Sequence, residues 1–534
     1  RRELHRLVGG YLEATQPQPD HGLLVHHYRH AGEVEKTRLH AVRASESSVA
    51  AYAGLEAIDY LAVALGTTKG RNSADACVRS RLEELTGDSC EALGRGDDAI
   101  AFYKRARRRW RSPNVRRAAT SALKDLAPLA DGDARDGLLC WKIAHSLERG
   151  HSAYRRALDW LDTGAAALPA GSEGTAARML VSRSGLLSRL GRFREAAEAG
   201  EQGLALARQA GDPAQLAYAL TMLGTAMDGL GLLERAIACH TEAIAHYDQI
   251  GDLWGLAMGH LNLSASFQLA GDLRASLVHD ETALALFARI GNFGGVVIQH
   301  LNVGVVLLEM GEVGPALEHL REAISLRDRQ GVNPLVTGSA LIFLGRALLW
   351  SDDLPGAQRA LDEGRAILEH IDAQGALLDA GIIQAELCLA LGDLDGAERA
   401  SANALKSAKS MDAELGQAQA LCALGSVRLA RGDPVGATAR LEACVSLAEK
   451  SGSDYERAKA LVVLAEAQSA CAPDDVECIA TFDEAIRILA KVGARHDLDK
   501  AVALRKRHTT PAAGEGRRKP GPGPSPARSR SAAP

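Results

Sequence analysis

Between residues 213 and 493, apolar side chains recur at helical spacing in paired blocks, each pair split by a short polar or glycine turn. The stretch LNVGVVLLEMGEVGPALEHLREAI (301–324) shows one such pair. The pairs themselves repeat. IGDLWGLAMGHLN occupies 250–262 and IGNFGGVVIQHLN occupies 290–302, forty residues on. Ala210-Gly211-Asp212, Gln330-Gly331, Ile371-Asp372, Met411-Asp412 and Ser451-Gly452 fall on the same beat. Within a unit, a small residue comes first: Gly224, Ser264, Gly304, Gly345, Ala385, Gly425. A turn follows seven residues later, at Gly231, Gly271, Gly311, Asp352, Gly392 and Gly432. Twelve after the first stands another small residue: Ala236, Ser276, Ala316, Ala357, Ala397, Ala437. Helices that cross closely need small side chains at the crossing and a permissive turn between them. The pattern predicts stacked antiparallel helix pairs, and an all-α fold.

These series resemble the tetratricopeptide repeat. That repeat is usually ~34 residues long, so about six extra residues here lengthen each helix by roughly 4.5 Å. Most of its aromatic positions are also lost, aromatic residues being 4% of the chain. The resemblance is to the longer variant with Gly-Asp between repeats, found in adaptor proteins and bacterial signalling ATPases. Six units are clear over 213–452, a seventh runs to about 493, and fainter ones lie at 87–106 and 184–203. The implied fold is an α-solenoid, a right-handed superhelix from about residue 80 to 505. Residues 1–80 are expected to form a more irregular helical region, 81–210 divergent repeats, 211–505 regular repeats and 506–534 a disordered tail.

Composition alters this picture little. The formal charge of −5 gives no general affinity for nucleic acid or membrane. The nine cysteines include no C-x-x-C pair, and they read as reduced core residues of a cytoplasmic protein. The most apolar stretch, GGVVIQHLNVGVVLLEMG (294–311), is interrupted by Gln299, His300 and Asn302 and is explained by repeat packing, so no membrane partner is expected. The tail from Arg505 carries eight Lys/Arg against one Glu, many prolines and no apolar face. The chain opens RRELHRLVGGYLEA, already in helical register, as if continuing from an upstream module.

No catalytic motif stands out. LGTTKGRNS (65–73) has the ingredients of a phosphate-binding loop in the wrong order. His21, His26, His27 and His30 form the densest histidine cluster; His26 and His30 stand four apart, as zinc ligands do, but no carboxylate or cysteine completes a set. YKRARRRWRSPNVRR (103–117) places eight cations around Trp110. Such interleaving can bind phosphates and stack bases, yet a charged outer helix face accounts for it, and nucleic acid is not the expected partner. We expect no enzyme activity, metal or cofactor in this chain.

A second resemblance concerns the ends. LLVHHYRHAGEVEKTRLHAVRASESSVAAYAGLEAIDYLAVAL (23–65) looks like the segment that follows the nucleotide-binding module of large bacterial signal-transduction ATPases, and DEAIRILAKVGARHDLDKA (483–501) is similar to their last repeat. Such proteins carry class III adenylate/guanylate cyclase, serine/threonine kinase or DNA-binding output modules. The resemblance implies a sensor and scaffold arm that binds a protein, a peptide or upstream domains of the same polypeptide. The alternative is a free-standing tetratricopeptide adaptor. In stacked repeats the first helix of each pair lines the concave face. Positions two before or one after the first small residue then look inward: Met222, Asn262, Asn302 and Phe343, and Thr225, Ala265, Val305, Arg346 and Glu386. Asn262 and Asn302 offer donor and acceptor to an extended peptide, or merely bond a neighbouring helix. Arg346 and Glu386 would select its charge.

Overall fold

A computed structural model describes residues 1–51, 53–69, 72–124, 134–151, 153–329, 332–411, 413–472 and 476–509. Gly331, Asp412 and the tail from 510 lie outside the described residues. The described chain is an all-α, tetratricopeptide-type solenoid. It begins with α1 (Arg2–Thr15), α2 (His21–Ala31), α3 (Val34–Ala50) and α4 (Gly54–Gly66). Next come α5 (Ser73–Ala92), α6 (Gly96–Trp110), α7 (Pro113–Ala122), α8 (Arg135–His151) and α9 (Tyr154–Ala165). The regular pairs are α10 (Glu173–Arg189) with α11 (Phe193–Ala210), α12 (Pro213–Gly229) with α13 (Leu233–Ile250), and α14 (Leu253–Leu269) with α15 (Leu273–Arg289). They continue as α16 (Phe293–Met310) with α17 (Val313–Ser325), α18 (Pro334–Trp350) with α19 (Leu354–His370), and α20 (Gln374–Ala390) with α21 (Leu394–Ser410). The series ends with α22 (Glu414–Ala430) and α23 (Pro434–Lys450), α24 (Asp454–Cys471) and α25 (Val476–Val492), and α26 (Arg495–Thr509).

The turn series owes its regularity to backbone conformation. Gly231, Gly271, Gly311, Gly392 and Gly432 have φ between 71° and 85°, the left-handed conformation that ends a helix cheaply only for glycine. Asp352 adopts it too, at 64°, an aspartate being among the few other residues that tolerate it. The following aspartate then starts the next helix. Asp353, Asp393 and Asp433 accept hydrogen bonds from the amides of Gly356, Gly396 and Gly436 at 2.8–2.9 Å.

The crossing series has a partner that sequence spacing did not reveal. Opposite each small residue, sixteen positions on, stands a side chain of the second helix. A Cβ added to Gly304, Gly345 or Gly425 would lie 2.6–2.8 Å from the Cγ of Leu320, Leu361 or Leu441. One added to Gly224 would lie 2.6 Å from the His240 ring. Ala236, Ala316, Ala357, Ala397 and Ala437 have no exposed surface.

The chain divides into two compact units, Arg1–Leu269 with Val278–Asn292, and Ala270–Leu277 with the residues from Phe293 on. The division falls inside the regular repeats. In the first unit one continuous core joins Val25, Ala41 and Leu61 to Leu82, Tyr103, Leu186 and Leu223. Helix α5 runs through residue 80, and α2 to α4 pack into the same core as the repeats. Likewise α26 continues through Arg505 to Thr509, past the expected end of the folded region.

The second unit closes on itself. Its largest core brings Phe482, Ile488, Leu489 and Val492 of α25 together with Leu273 and with Val306 of α16. At Gly311 an added Cβ would lie 2.7 Å from the backbone nitrogen of His496. The helix α16 is long and apolar enough to cross a membrane by composition. It is the first helix of a repeat pair, with Gly304 set against Leu320.

Candidate functional site

The inner wall of the second unit is built from the first helices of successive pairs, α18, α20, α22 and α24, so side chains one repeat apart become neighbours. Arg346 donates to Glu386 at 3.2 Å, and its guanidinium lies 6.0 Å from the Phe343 ring. Gln419 donates to Glu456 at 2.9 Å, and Lys459 pairs with the same carboxylate at 3.4 Å. Burial works against the Arg346 charge, but Glu386, Tyr455, Glu456 and Asp379 outweigh it and raise its pKa. Burial pushes Asp379 up to about 6, with Arg346 opposing.

The first turns of the last helix border this wall. His496 of α26 stacks on Trp350 at 4.3 Å, with the rings 9° from parallel. Asp497 accepts from the Tyr455 hydroxyl at 2.8 Å. What remains is a cavity of about 320 Å³, bordered by Arg346, Trp350, Glu386, Cys422, Lys459 and Asp497 among others. Ligand pockets span roughly 300–1,000 Å³, so this one has room for a side chain or a small molecule. His496, Asp497 and Lys500 of α26 border the same cavity.

The expected wall residues separate on inspection. Arg346 and Glu386 come together at the cavity, but paired with each other rather than held open for a ligand's charge. Phe343 is half-buried between core clusters and does not border the cavity. Asn302 donates to Gln299 of its own helix at 3.1 Å. Val305 is half-buried on the same helix. Asn262 lies in the first unit, half-buried, its carbonyl accepting from Ser266 at 3.2 Å. In that unit Thr225 turns back to the Thr221 carbonyl at 3.0 Å, Met222 packs near Gly185, and Ala265 is exposed.

The spacing rule was too narrow. Three residues before Ala385, Gly425 and Ala465 stand Ile382, Cys422 and Val462, and six before the last two stand Gln419 and Lys459; these border the cavity, whereas Ile342 and Asp379 at the same offsets do not. Trp350, His496 and Asp497 follow no such row.

Other candidates resolve differently. Trp110 is buried, with the Arg135 guanidinium 4.6 Å from its ring, so it offers no stacking platform. Two of its neighbouring cations are engaged, Arg107 by Asp136 at 2.8 Å and Arg109 by Glu83 at 3.0 Å. The His26 and His30 rings lie 4.4 Å apart, and His30 bonds the His26 carbonyl at 2.8 Å. Among the described residues, no group of three or more His, Cys, Asp or Glu is arranged to hold a metal ion. All nine cysteines are free thiols, and Cys471 is the exposed one.

No protein-family model matches the chain, and no curated protein matches it. Solved structures do. The Rap protein complexed with competence and sporulation factor is similar at 14% identity, covering 81% of this chain and 99% of that one with a TM-score of 0.49. The apo form of RapI is similar at 12% identity, covering 71% and 98%, with a TM-score of 0.49. A signal transduction ATPase with numerous domains and a tetratricopeptide repeat sensor, from Pyrococcus horikoshii, is similar at 15% identity; the match covers 61% of this chain and 54% of that one, with a TM-score of 0.38.

Proposed function

We propose that this chain is a protein-binding helical-repeat arm of a cytoplasmic signalling protein, and that partners engage the inner wall of its second unit. One observation carries the reading. Side chains of both charges and a half-buried indole, contributed by four successive first helices, converge on one concavity. Such a wall recognises a polypeptide by shape and paired charge. Partner binding there would be passed to upstream domains of the same polypeptide, an ATPase with a cyclase or kinase output.

The test places a photo-crosslinking benzophenone amino acid at Leu389, which borders the cavity, and separately at Val435, which is 73% exposed on α23. Crosslinking in cells should attach a discrete polypeptide at 389 and not at 435. The same adducts at both positions would show that the wall selects nothing. For the signalling role, the reading frame preceding this chain should encode a phosphate-binding loop.

A further inference from the structure

Within the second unit, α26 is held unlike the helices around it. Its predecessor α25 buries Cys478, Phe482, Ala485, Ile488, Leu489 and Val492. By contrast, α26 has Ala501 fully buried, while Leu498 and Leu504 pack only partly against the core. Other contacts that hold it include the His496 stack on Trp350, the Tyr455–Asp497 hydrogen bond, the Arg505–Asp483 ion pair at 2.6 Å to α25, and Arg495 at 3.9 Å from Glu312, both largely exposed. Gly493, with φ 83°, joins the two helices and can absorb a change of direction at little cost. The first turns of this 15-residue helix, through His496, Asp497 and Lys500, therefore border the candidate wall, while its later turns rest on α25 with few fully buried apolar anchors.

We infer that α26 is a built-in occupant of the inner wall, and that the partner which replaces it is a short amphipathic helix bearing an aromatic or imidazole ring for Trp350 and a neighbouring carboxylate for Tyr455. This rests on the reading of the wall as a binding surface, and it replaces the extended peptide with a helix. Asp497, Ala501 and Leu504 stand at i, i+4 and i+7 on one face of the helix; Asp497 borders the cavity, while Ala501 and Leu504 pack against the core that α24 and α25 build beside it. His496 adds the ring beside that face. The wall is already complementary to this arrangement, so a ligand helix reproducing it pays no reorganisation of α18 or α24. It has only to outcompete a segment whose own apolar anchoring is slight.

The experiment uses the full chain and a release variant, His496→Ala with Asp497→Ala; a milder pair, His496→Gln with Asp497→Asn, serves if the first loses its helical circular dichroism. Cys422 borders the cavity, and its alkylation by iodoacetamide, mapped by mass spectrometry against exposed Cys471, reports on the wall without any ligand. We expect at least tenfold faster alkylation at Cys422 in the release variant. A labelled peptide of residues 495–509, RHDLDKAVALRKRHT, should bind the release variant at least tenfold more tightly than the parent chain, and an Ala501→Pro peptide should not bind. Unchanged Cys422 alkylation would overturn the occupancy of the wall by α26. Equal binding of the proline peptide would overturn the helical partner. Dimerisation of the release variant would assign the wall to a second copy's α26 and overturn a separate partner. If crosslinks from position 389 form equally in both chains, the wall remains a binding surface and only the inference about α26 fails.

Discussion

Replacing Asp280 tests whether the pairing sixteen residues apart sets repeat stability. Asp280 is 1% exposed and faces Ser264, which is 2% exposed, where other repeats place leucine opposite glycine. Burial raises its pKa to about 7, with a hydrogen bond from Ser264 opposing and Glu281 adding. The unfolded chain releases this proton near the ordinary value of 3.8. Between the two values the folded state holds a proton that the unfolded state has lost. Stability is therefore greatest below 3.8, falls as pH rises through that window, and is level above about 7. At 1.36 kcal/mol per unit, the penalty above pH 7 is roughly 4 kcal/mol.

Asp280→Asn removes the charge and keeps the shape. It forfeits part of the gain to the desolvated amide, about 1–3 kcal/mol, so a net stabilisation of about 1–3 kcal/mol is expected at pH 8. Ser264→Gly with Asp280→Leu recreates the Gly304–Leu320 pair and should stabilise more. Asp280→Leu alone should do worse than the double variant, because the serine side chain occupies space that the leucine needs, with a coupling of about 0.5–3 kcal/mol. Thermal unfolding followed by circular dichroism from pH 4 to 8.5 reads all three. If Asp280→Asn leaves both the midpoint at pH 8 and the pH slope unchanged, the buried-carboxylate argument is wrong.

In the first unit, Glu84 and Arg135 are each 1% exposed and lie 2.7 Å apart, with Lys142 at 2.9 Å. Burial opposes the Glu84 charge, but these cations hold its pKa down to about 2. Its contribution is present above the ordinary value of 4.5 and is lost as pH falls towards 2, and Glu84→Gln should cost ~3–5 kcal/mol at pH 7 by chemical denaturation. Ala316→Leu and Ala397→Leu, both at fully buried crossings, should each cost ~1–3 kcal/mol, and an unchanged melting temperature for both would show the crossing register to be wrong. The purified chain should neither hydrolyse ATP nor form a cyclic nucleotide; turnover that persists through repurification in proportion to the chain would reverse this.

Contacts local to a repeat were legible, and those that close the second unit were not. The turn glycines announce themselves because the left-handed backbone restricts residue choice every forty residues or so. The wall row at Arg346 and Glu386 followed from the same period. Phe343 misled because its position looks inward in an idealised repeat but packs between core clusters in this one. The seat of α26 depends on Gly311 meeting His496 and Trp350 meeting the same residue, pairs separated by well over a hundred positions and carrying no period. Its basic end, from Arg505, also reads as the start of the polar tail, although Arg505 bonds Asp483 at 3.1 Å.

The crossing itself explains why the repeat looks degenerate in sequence yet regular in space. Where the small position is glycine, its partner sixteen residues on is large: Tyr103 opposite Gly87, His240 opposite Gly224, and Leu320, Leu361 and Leu441 opposite Gly304, Gly345 and Gly425. Where it is serine or alanine, the partner shrinks. Gly200 faces Ser184, with 3.0 Å between an added Cβ and the hydroxyl, and Ser401 stands sixteen after Ala385, both fully buried. Close packing constrains the summed volume across a crossing rather than either residue, so each column alone varies while the pair is held. Polar partners are then affordable only with their own bonds. His240 has Asp228 at 3.2 Å, which also accepts from Ser266 at 2.9 Å across to α14, and this ties two successive repeats together. For Asp280 burial is the largest influence on the proton, with the Ser264 hydrogen bond opposing it, so its replacement is the sharper test of the pairing.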